Sequence, residues 1–353
     1  MPWLHWIAFA LFIIVFALVM AMGFVWLERR GVGRLQMRPG PNRAGPFGLL
    51  QPVADAIKIL LKEDIVPERG DRLLHTLAPI VAFVPALMVF AVVPFWRGEG
   101  AGLVPDLNIG LVYLVAISSI SIVGAFTAGW ASNSKYSLMG AMRSMAQMVS
   151  YEVPLVLSLV GVALMAGSLS LVGIVEAQGL PFILLQPLGF LVYFLAALAE
   201  ANRGPFDLME ADSELVAGFH TEYSGMKFAM FYLGEYTHTV AAAAIGATIF
   251  LGGWKGPLLP PFLWFLIKVF ALFFVIFWVR ATLPRLRVDQ LMAFAWKFLL
   301  PLALVNIFLV AVEMSTQSLR TLWVMMAVNI VAGVLLVYLL SRLWRVGGGR
   351  VAV

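Results

Sequence analysis

The segment Leu4-His5-Trp6-Ile7-Ala8-Phe9-Ala10-Leu11-Phe12-Ile13-Ile14-Val15-Phe16-Ala17-Leu18-Val19-Met20-Ala21-Met22-Gly23-Phe24-Val25-Trp26-Leu27 contains no Asp, Glu, Lys or Arg. A helix needs about 20 mostly apolar residues to cross bilayer hydrocarbon, and this run exceeds that length. It has neither a basic leader nor a small-residue cleavage site, so it reads as a retained first span. Comparable runs lie at Leu77–Trp96, Ile109–Trp130, Met139–Ala166, Leu180–Glu200, Phe228–Leu251, Pro261–Thr282, Phe294–Val312 and Thr321–Trp344. The same length rule therefore predicts about nine transmembrane helices. The chain as a whole is 62% hydrophobic and 12% charged, with a mean hydropathy of +0.94. Soluble domains average about 45–50% apolar and 25% charged residues. The expected fold is an all-α polytopic membrane protein, a single integral membrane domain over residues 1–353.

Basic residues set the expected orientation, because loops on the cytosolic side hold the excess of Lys and Arg. The first loop, residues 28–75, carries Arg29, Arg30, Arg34, Arg38, Arg43, Lys58, Lys62, Arg69 and Arg72. Alternate connections add Lys135, Arg203, Lys227, Arg285 and Arg287, and the tail adds Arg342, Arg345 and Arg350. The opposite side holds Arg97, Lys255 and Arg320. The N-terminus is expected outside and the C-terminus in the cytosol, in accord with an odd number of spans. The pI near 9.6 thus reflects charge at a membrane surface rather than nucleic-acid binding. The chain has no cysteine, so it builds no disulfide, iron–sulfur cluster or thiolate metal site. His5, His75, His220 and His238 are scattered, and no metal centre is expected. Gly31-Val32-Gly33 stands without a third glycine, so no phosphate-cradling loop is expected either.

Three constellations carry chemistry. In the first loop, Gly40, Pro41, Gly45, Pro46 and Gly48 mark fixed turns. Beyond them, Leu49, Val53, Ile57, Leu60 and Leu61 share one side of a helix, with Gln51, Asp55, Lys58 and Lys62 on the other. This predicts a surface amphipathic helix, framing an opening at the interface or acting only as a basic anchor. In the fourth span, Arg143, Gln147 and Ser150 lie within about 60° of one another, whereas Glu152 points nearly the opposite way. Glu152 must find a neighbouring helix or a hydrated cavity, since a charge near hydrocarbon is costly.

The third is the acidic segment within residues 201–227, entered through Glu200 and continuing as Arg203-Gly204-Pro205-Phe206-Asp207-Leu208-Met209-Glu210-Ala211-Asp212-Ser213-Glu214. Gly204 ends one helix and Pro205 suits the first position of the next. On that helix Asp207, Glu210 and Glu214 fall within about 60°, with Asp212 turned away. In the sixth span Tyr232, Glu235, Tyr236 and Thr239 form a polar face. Clustered carboxylates cannot all ionise cheaply, which suits them to holding and passing protons. Glu152, Glu200, Glu210, Glu214 and Glu235 are the expected chain from the cytosolic rim into the membrane. Lys268 lies near an outer end where it can snorkel, a structural role.

These motifs resemble those of the H-type membrane subunit family of respiratory complex I. The resemblance rests on Glu28-Arg29-Arg30, Gln36-Met37-Arg38-Pro39-Gly40-Pro41-Asn42, Gly45 to Pro52, and Asp55 to Glu63. It continues with Gly140 to Arg143, Ala146-Gln147, Ser150 to Val153, Glu200 to Leu215, Glu222 to Ser224, Glu235-Tyr236, Arg280 to Arg285 and Asp289 to Met292. It implies a membrane subunit of a proton-translocating NADH:quinone oxidoreductase in a bacterial cytoplasmic membrane. Its partners would be the peripheral quinone-site subunits, small membrane-arm subunits and lipid. Quinone would be the substrate, with NADH, FMN and iron–sulfur clusters held by partner subunits and no cofactor by this chain alone. The resemblance assigns a quinone tunnel to Arg29, Gln36, Arg38, Asp55, Arg280 and Arg285. It assigns a proton path to Glu152, Glu200, Asp207, Glu210, Asp212, Glu214 and Glu235, with Arg143 and Arg203 as ionic support and no catalytic residue in the chain itself. Two positions depart from the pattern: Asp212 stands where glutamate is expected, and Pro39 replaces a frequent basic residue. Competing readings are the equivalent subunit of an energy-converting membrane hydrogenase and a stand-alone proton-coupled transporter. The elaborate first loop favours the quinone version over the first, and the absence of a clear second copy of the carboxylate pattern disfavours the second.

Overall fold

The computed structural model describes residues 2–96, 106–208, 217–316, 326–331, 333–335 and 338. Helix α1 (Pro2–Leu35) runs beyond the apolar segment, so Glu28, Arg29, Arg30 and Arg34 belong to its last turns rather than to a loop. Those turns stay helical because their charges meet partners: Arg30 donates to the Phe47 carbonyl at 2.7 Å and lies over the Phe47 ring. The turns that follow need Gly48, at φ +74°, where a Cβ would sit 2.3 Å from the Pro41 carbonyl oxygen. Next comes α2 (Gln51–Leu60), the expected amphipathic helix. Leu49, Val53, Ile57, Leu60 and Leu61 are all exposed, as an apolar face lying on a membrane surface should be.

The segment beyond α2 is clasped to the chain ahead of the sixth expected span. Ser224 Oγ accepts from the Ile65 amide at 2.8 Å and donates to the Glu63 carbonyl at 3.0 Å. Lys227 pairs with Asp64 at 2.9 Å.

Helix α3 (Arg72–Val89) is capped by the Asp71 side chain, which accepts from the Leu73 and Leu74 amides. It therefore starts earlier than Leu77 and ends before Trp96. It packs on α4 (Gly110–Ala131), where Gly124 leaves room: a Cβ there would be 2.5 Å from the Ala82 amide nitrogen. Helix α5 (Lys135–Ala166) then packs on α4 and on two later helices, Pro187–Glu200 and Leu300–Thr316.

Leu180–Glu200 is not one continuous helix. After α6 (Leu171–Ala177) the chain forms α7 (Phe182–Leu185), breaks at Gln186 and resumes as α8 (Pro187–Glu200). Proline lacks an amide donor and suits a helix start, so Pro187 ends one helix and opens the next. Gln186 supports the break by donating to the Gly161 carbonyl at 3.2 Å.

Helix α9 (Gly225–Phe250) packs against α1, α3, α8 and α10 (Pro261–Thr282). Its buried Ala241, Ala243, Ala244, Gly246 and Ala247 allow close helix approach. The eighth span is longer than Phe294–Val312: α11 (Val288–Phe294) continues through a π turn at Ala295–Leu299 into α12 (Leu300–Thr316).

Among the described residues, six helices are long and apolar enough to cross a membrane: Trp3–Leu35, Arg72–Val89, Gly110–Ala131, Lys135–Ala166, Pro261–Thr282 and Val288–Ser315. Helix α9 is not among them, because hydropathy reports lipid exposure and α9 faces protein. Much of the ninth span, Thr321–Trp344, lies outside the described residues, as do Glu210, Asp212 and Glu214. Pro205 does not open a helix. Gly204–Pro205 is a cis peptide bond and residues 205–208 form turns, with the Phe206 amide donating to the Arg203 carbonyl at 3.0 Å. The turns bury Phe206 against Tyr151, which a continuing helix would carry away. Lys268 reaches back to the connection ahead of the helix Pro261–Thr282, its ammonium donating to the carbonyls of Gly253 and Lys255 at 2.9 and 2.7 Å.

Candidate functional site

Helix α8 delivers Glu200 at its end, and Asn202 in the left-handed region turns the chain back. Gln147 of α5 pins that turn by donating to the carbonyls of Ala199 and Phe206, both at 2.7 Å. Arg203 is thereby driven into the protein, only 2% exposed. Its Nη1 meets Glu28 Oε2 at 3.3 Å and its Nε meets Glu235 Oε1 at 3.4 Å. It also donates to Thr239 Oγ1 at 3.1 Å, and its Cζ lies 4.0 Å from the Tyr236 ring centroid. Glu28, 7% exposed, is shared with Arg280, which donates to its Oε1. Burial opposes the Arg203 charge, but the Glu235 and Glu28 carboxylates more than offset this and hold its proton firmly.

Around this ionic centre lie three small cavities. The outermost, about 30 Å³, is lined by Asp207, Glu235, Tyr232 and Asn202 among others. The middle one, about 50 Å³, is lined by Glu235, Glu200, His238 and Ser121. The deepest, about 30 Å³, is lined by Glu200, His238, Ser118 and Tyr193. Roughly 10–15 Å³ of such space holds one water, so each has room for water beside a carboxylate. Ser118 lines the deepest cavity beside Glu200, and the adjacent Ser119 donates to Glu152. Asp207, Glu235, Glu200 and Glu152 thus form a succession, consecutive members separated by water-sized space or by a pair of serine hydroxyls. Such spacing suits stepwise proton transfer. Glu152 finds its partner on α4, as its position opposite Arg143 requires. Arg143 is half-buried on α5.

Of the first-loop residues, Arg29 pairs with Asp55 at 2.5 Å, and Asp55 also accepts from Gln51 at 3.0 Å. Gln36 and Arg38 hydrogen-bond each other at 2.7 Å on an exposed turn. Arg285 meets Asp207 at 3.3 Å. Arg29 lies near the Tyr232 side chain, and the Tyr232 hydroxyl donates to that of Tyr236 at 3.3 Å. The structure therefore joins the first loop to the carboxylates through Arg29, Tyr232, Tyr236 and Arg203. Gln36 and Arg38 stand apart from this line.

Glu28 and His238 belong to the site although sequence reasoning gave neither a role. The signal for Glu28 was its place as the first charge after an uninterrupted apolar run. For His238 it was a position one turn beyond Glu235 on the same helix face.

Residues 7–311 match the protein family described as NADH dehydrogenase. The chain is 58% identical over 351 residues to the H-type subunit of NADH-quinone oxidoreductase from Dehalococcoides mccartyi strain 195, covering 99% of both chains. It is 53% identical over 314 residues to the corresponding subunit of Brevibacillus brevis, covering 86% of this chain and 93% of that one. It is 52% identical over 319 residues to that of Geobacillus kaustophilus, covering 87% and 95%. With the membrane-type helices and the match over nearly its full length, the chain belongs to the H-type subunit family of NADH-quinone oxidoreductase, respiratory complex I.

Proposed function

We propose that this chain couples quinone reduction to proton movement as the membrane subunit joining the redox arm of NADH-quinone oxidoreductase to its membrane arm. Quinone gains access along Arg29, Gln36, Arg38, Asp55, Arg280 and Arg285. Protons pass along Asp207, Glu235, Glu200 and Glu152, with Glu210, Asp212 and Glu214 at the entrance and Arg143 and Arg203 as ionic support. The observation that carries the reading is the contact line Arg29–Tyr232–Tyr236–Arg203 between the first loop and the carboxylate cavities. A charge change at the first loop alters the field on Glu28, Arg203 and Glu235 over a few ångströms of low-dielectric protein, where Coulomb effects are strong. That change shifts which carboxylates hold protons.

In this reading the chain crosses a bacterial cytoplasmic membrane nine times, with its N-terminus outside and its C-terminus in the cytosol. Partner subunits hold NADH, FMN and the iron–sulfur clusters. The test is to purify the tagged complex from membranes carrying native or Arg280→Ala chain and measure NADH:quinone reductase kinetics. The reading expects co-purified activity and a raised quinone KM in the variant. A chain that elutes without NADH:quinone activity refutes the assembly, and an unaltered KM refutes quinone access past Arg280.

A further inference from the structure

The middle and deepest cavities share a partition made by Glu200 and Ala201 of the α8 end and His238 of α9. His238 is the α9 residue common to both: Gly234 and Glu235 face the middle cavity, while Ala241, Ala242 and Ile245 face the deepest. Its Nε2 is buried with no hydrogen-bond partner. A buried imidazole nitrogen left unbonded is costly in a structural histidine, and His238 lines both cavities. We propose that His238 is a proton-transfer group between the Glu235 cavity and the Glu200 cavity, an assignment that rests on the proton-path reading above.

The chemistry balances within the ring. A water or carboxyl group of one cavity gives a proton to the unprotonated ring nitrogen, and the transient imidazolium releases the proton from its other nitrogen toward the second cavity. Tautomer exchange then restores the starting state. Glu235 faces the middle cavity and Glu200 faces both, so a carboxyl group stands on each side of the transfer. Ser121 and Asn202 face the middle cavity, and Ser118 and Tyr193 the deepest, as hydrogen-bonding groups for the intervening water. Glutamine occupies similar space and hydrogen-bonds similarly, but its amide cannot take and release a proton.

The test uses the intact complex carrying His238→Gln, with assembly checked by its iron–sulfur signals. Kinetics are read with a short-chain quinone analogue in ordinary and heavy water. If His238 transfers protons, kcat falls about tenfold or more, the quinone KM is unchanged, and the solvent isotope effect on kcat rises. Native kcat and isotope effect in an assembled His238→Gln complex overturn the proposal. If that complex does not assemble, the smaller His238→Asn is read by the same two criteria. Glu200→Gln, measured in parallel, separates the two levels. Native kinetics there sink the carboxylate path itself, whereas loss there with native His238→Gln kinetics sinks the role of His238 alone.

Discussion

Replacing Arg203 by leucine is the sharpest probe of the ionic centre. The side chain is 2% exposed and sits between Glu28 and Glu235 at 3.3 and 3.4 Å. Leucine removes the positive charge while leaving two carboxylates in a buried site. Glu28 keeps Arg280, so Glu235 loses the larger share of its compensation. Breaking a buried ion pair by removing one partner costs about 3–5 kcal/mol. Loss of the Thr239 hydrogen bond and the Tyr236 ring contact adds in the same direction. At roughly 2 °C per kcal/mol for a large domain, the loss corresponds to about 6–10 °C in unfolding midpoint. The assay is thermal unfolding of the detergent-solubilised complex, read as loss of the assembled peak in size-exclusion chromatography. Arg203→Leu combined with Glu235→Gln tests the cause, because neutralising the carboxylate that has lost Arg203 should recover part of the loss as a coupling energy. A single variant within about 1 °C of native stability, or a double variant no better than the single, would refute the argument that these charges hold one another.

Two further consequences concern the segments around the site. Gly140 faces the backbone of Gly218, where a Cβ would lie 2.8 Å away. Gly140→Ala should destabilise by about 1–3 kcal/mol, visible as a lower yield of assembled complex, and a native yield would contradict that close approach. Ser224→Ala removes two hydrogen bonds of the clasp, each worth about 1 kcal/mol. Amide hydrogen exchange at Ile65 should quicken severalfold in the complex, and unchanged exchange would mean the clasp does not hold the end of α2.

The apolar runs were readable because lipid-facing helices must be apolar throughout, and Pro261–Thr282 and Gly110–Ala131 lie within a residue of expectation. Helix ends were less legible wherever tertiary partners, rather than apolarity, sustain the helix. Arg29 and Glu28 continue α1 because Asp55, Arg203 and Arg280 lie far away in sequence but close in space. The break at Gln186 was marked by Pro187, yet the flanking apolar residues outweighed that sign. The fourth-span geometry was readable from angular spacing alone, which placed Glu152 away from Arg143 and toward a neighbouring helix. Glu28 was given no role because charges at the rim of a span, here Glu28-Arg29-Arg30, read as solvated. Only the folded chain brings two arginines to it.

The central claim is that the half-buried carboxylates carry protons coupled to quinone reduction, and Glu200 lines both the middle and the deepest cavity. The direct measurement is the number of protons taken up per NADH oxidised in sealed inverted vesicles, comparing native complex with Glu200→Gln at equal iron–sulfur content. The account predicts a lower ratio in the variant, because an amide leaves the succession without its middle proton-holding group. A ratio equal to native, at comparable turnover, would contradict it.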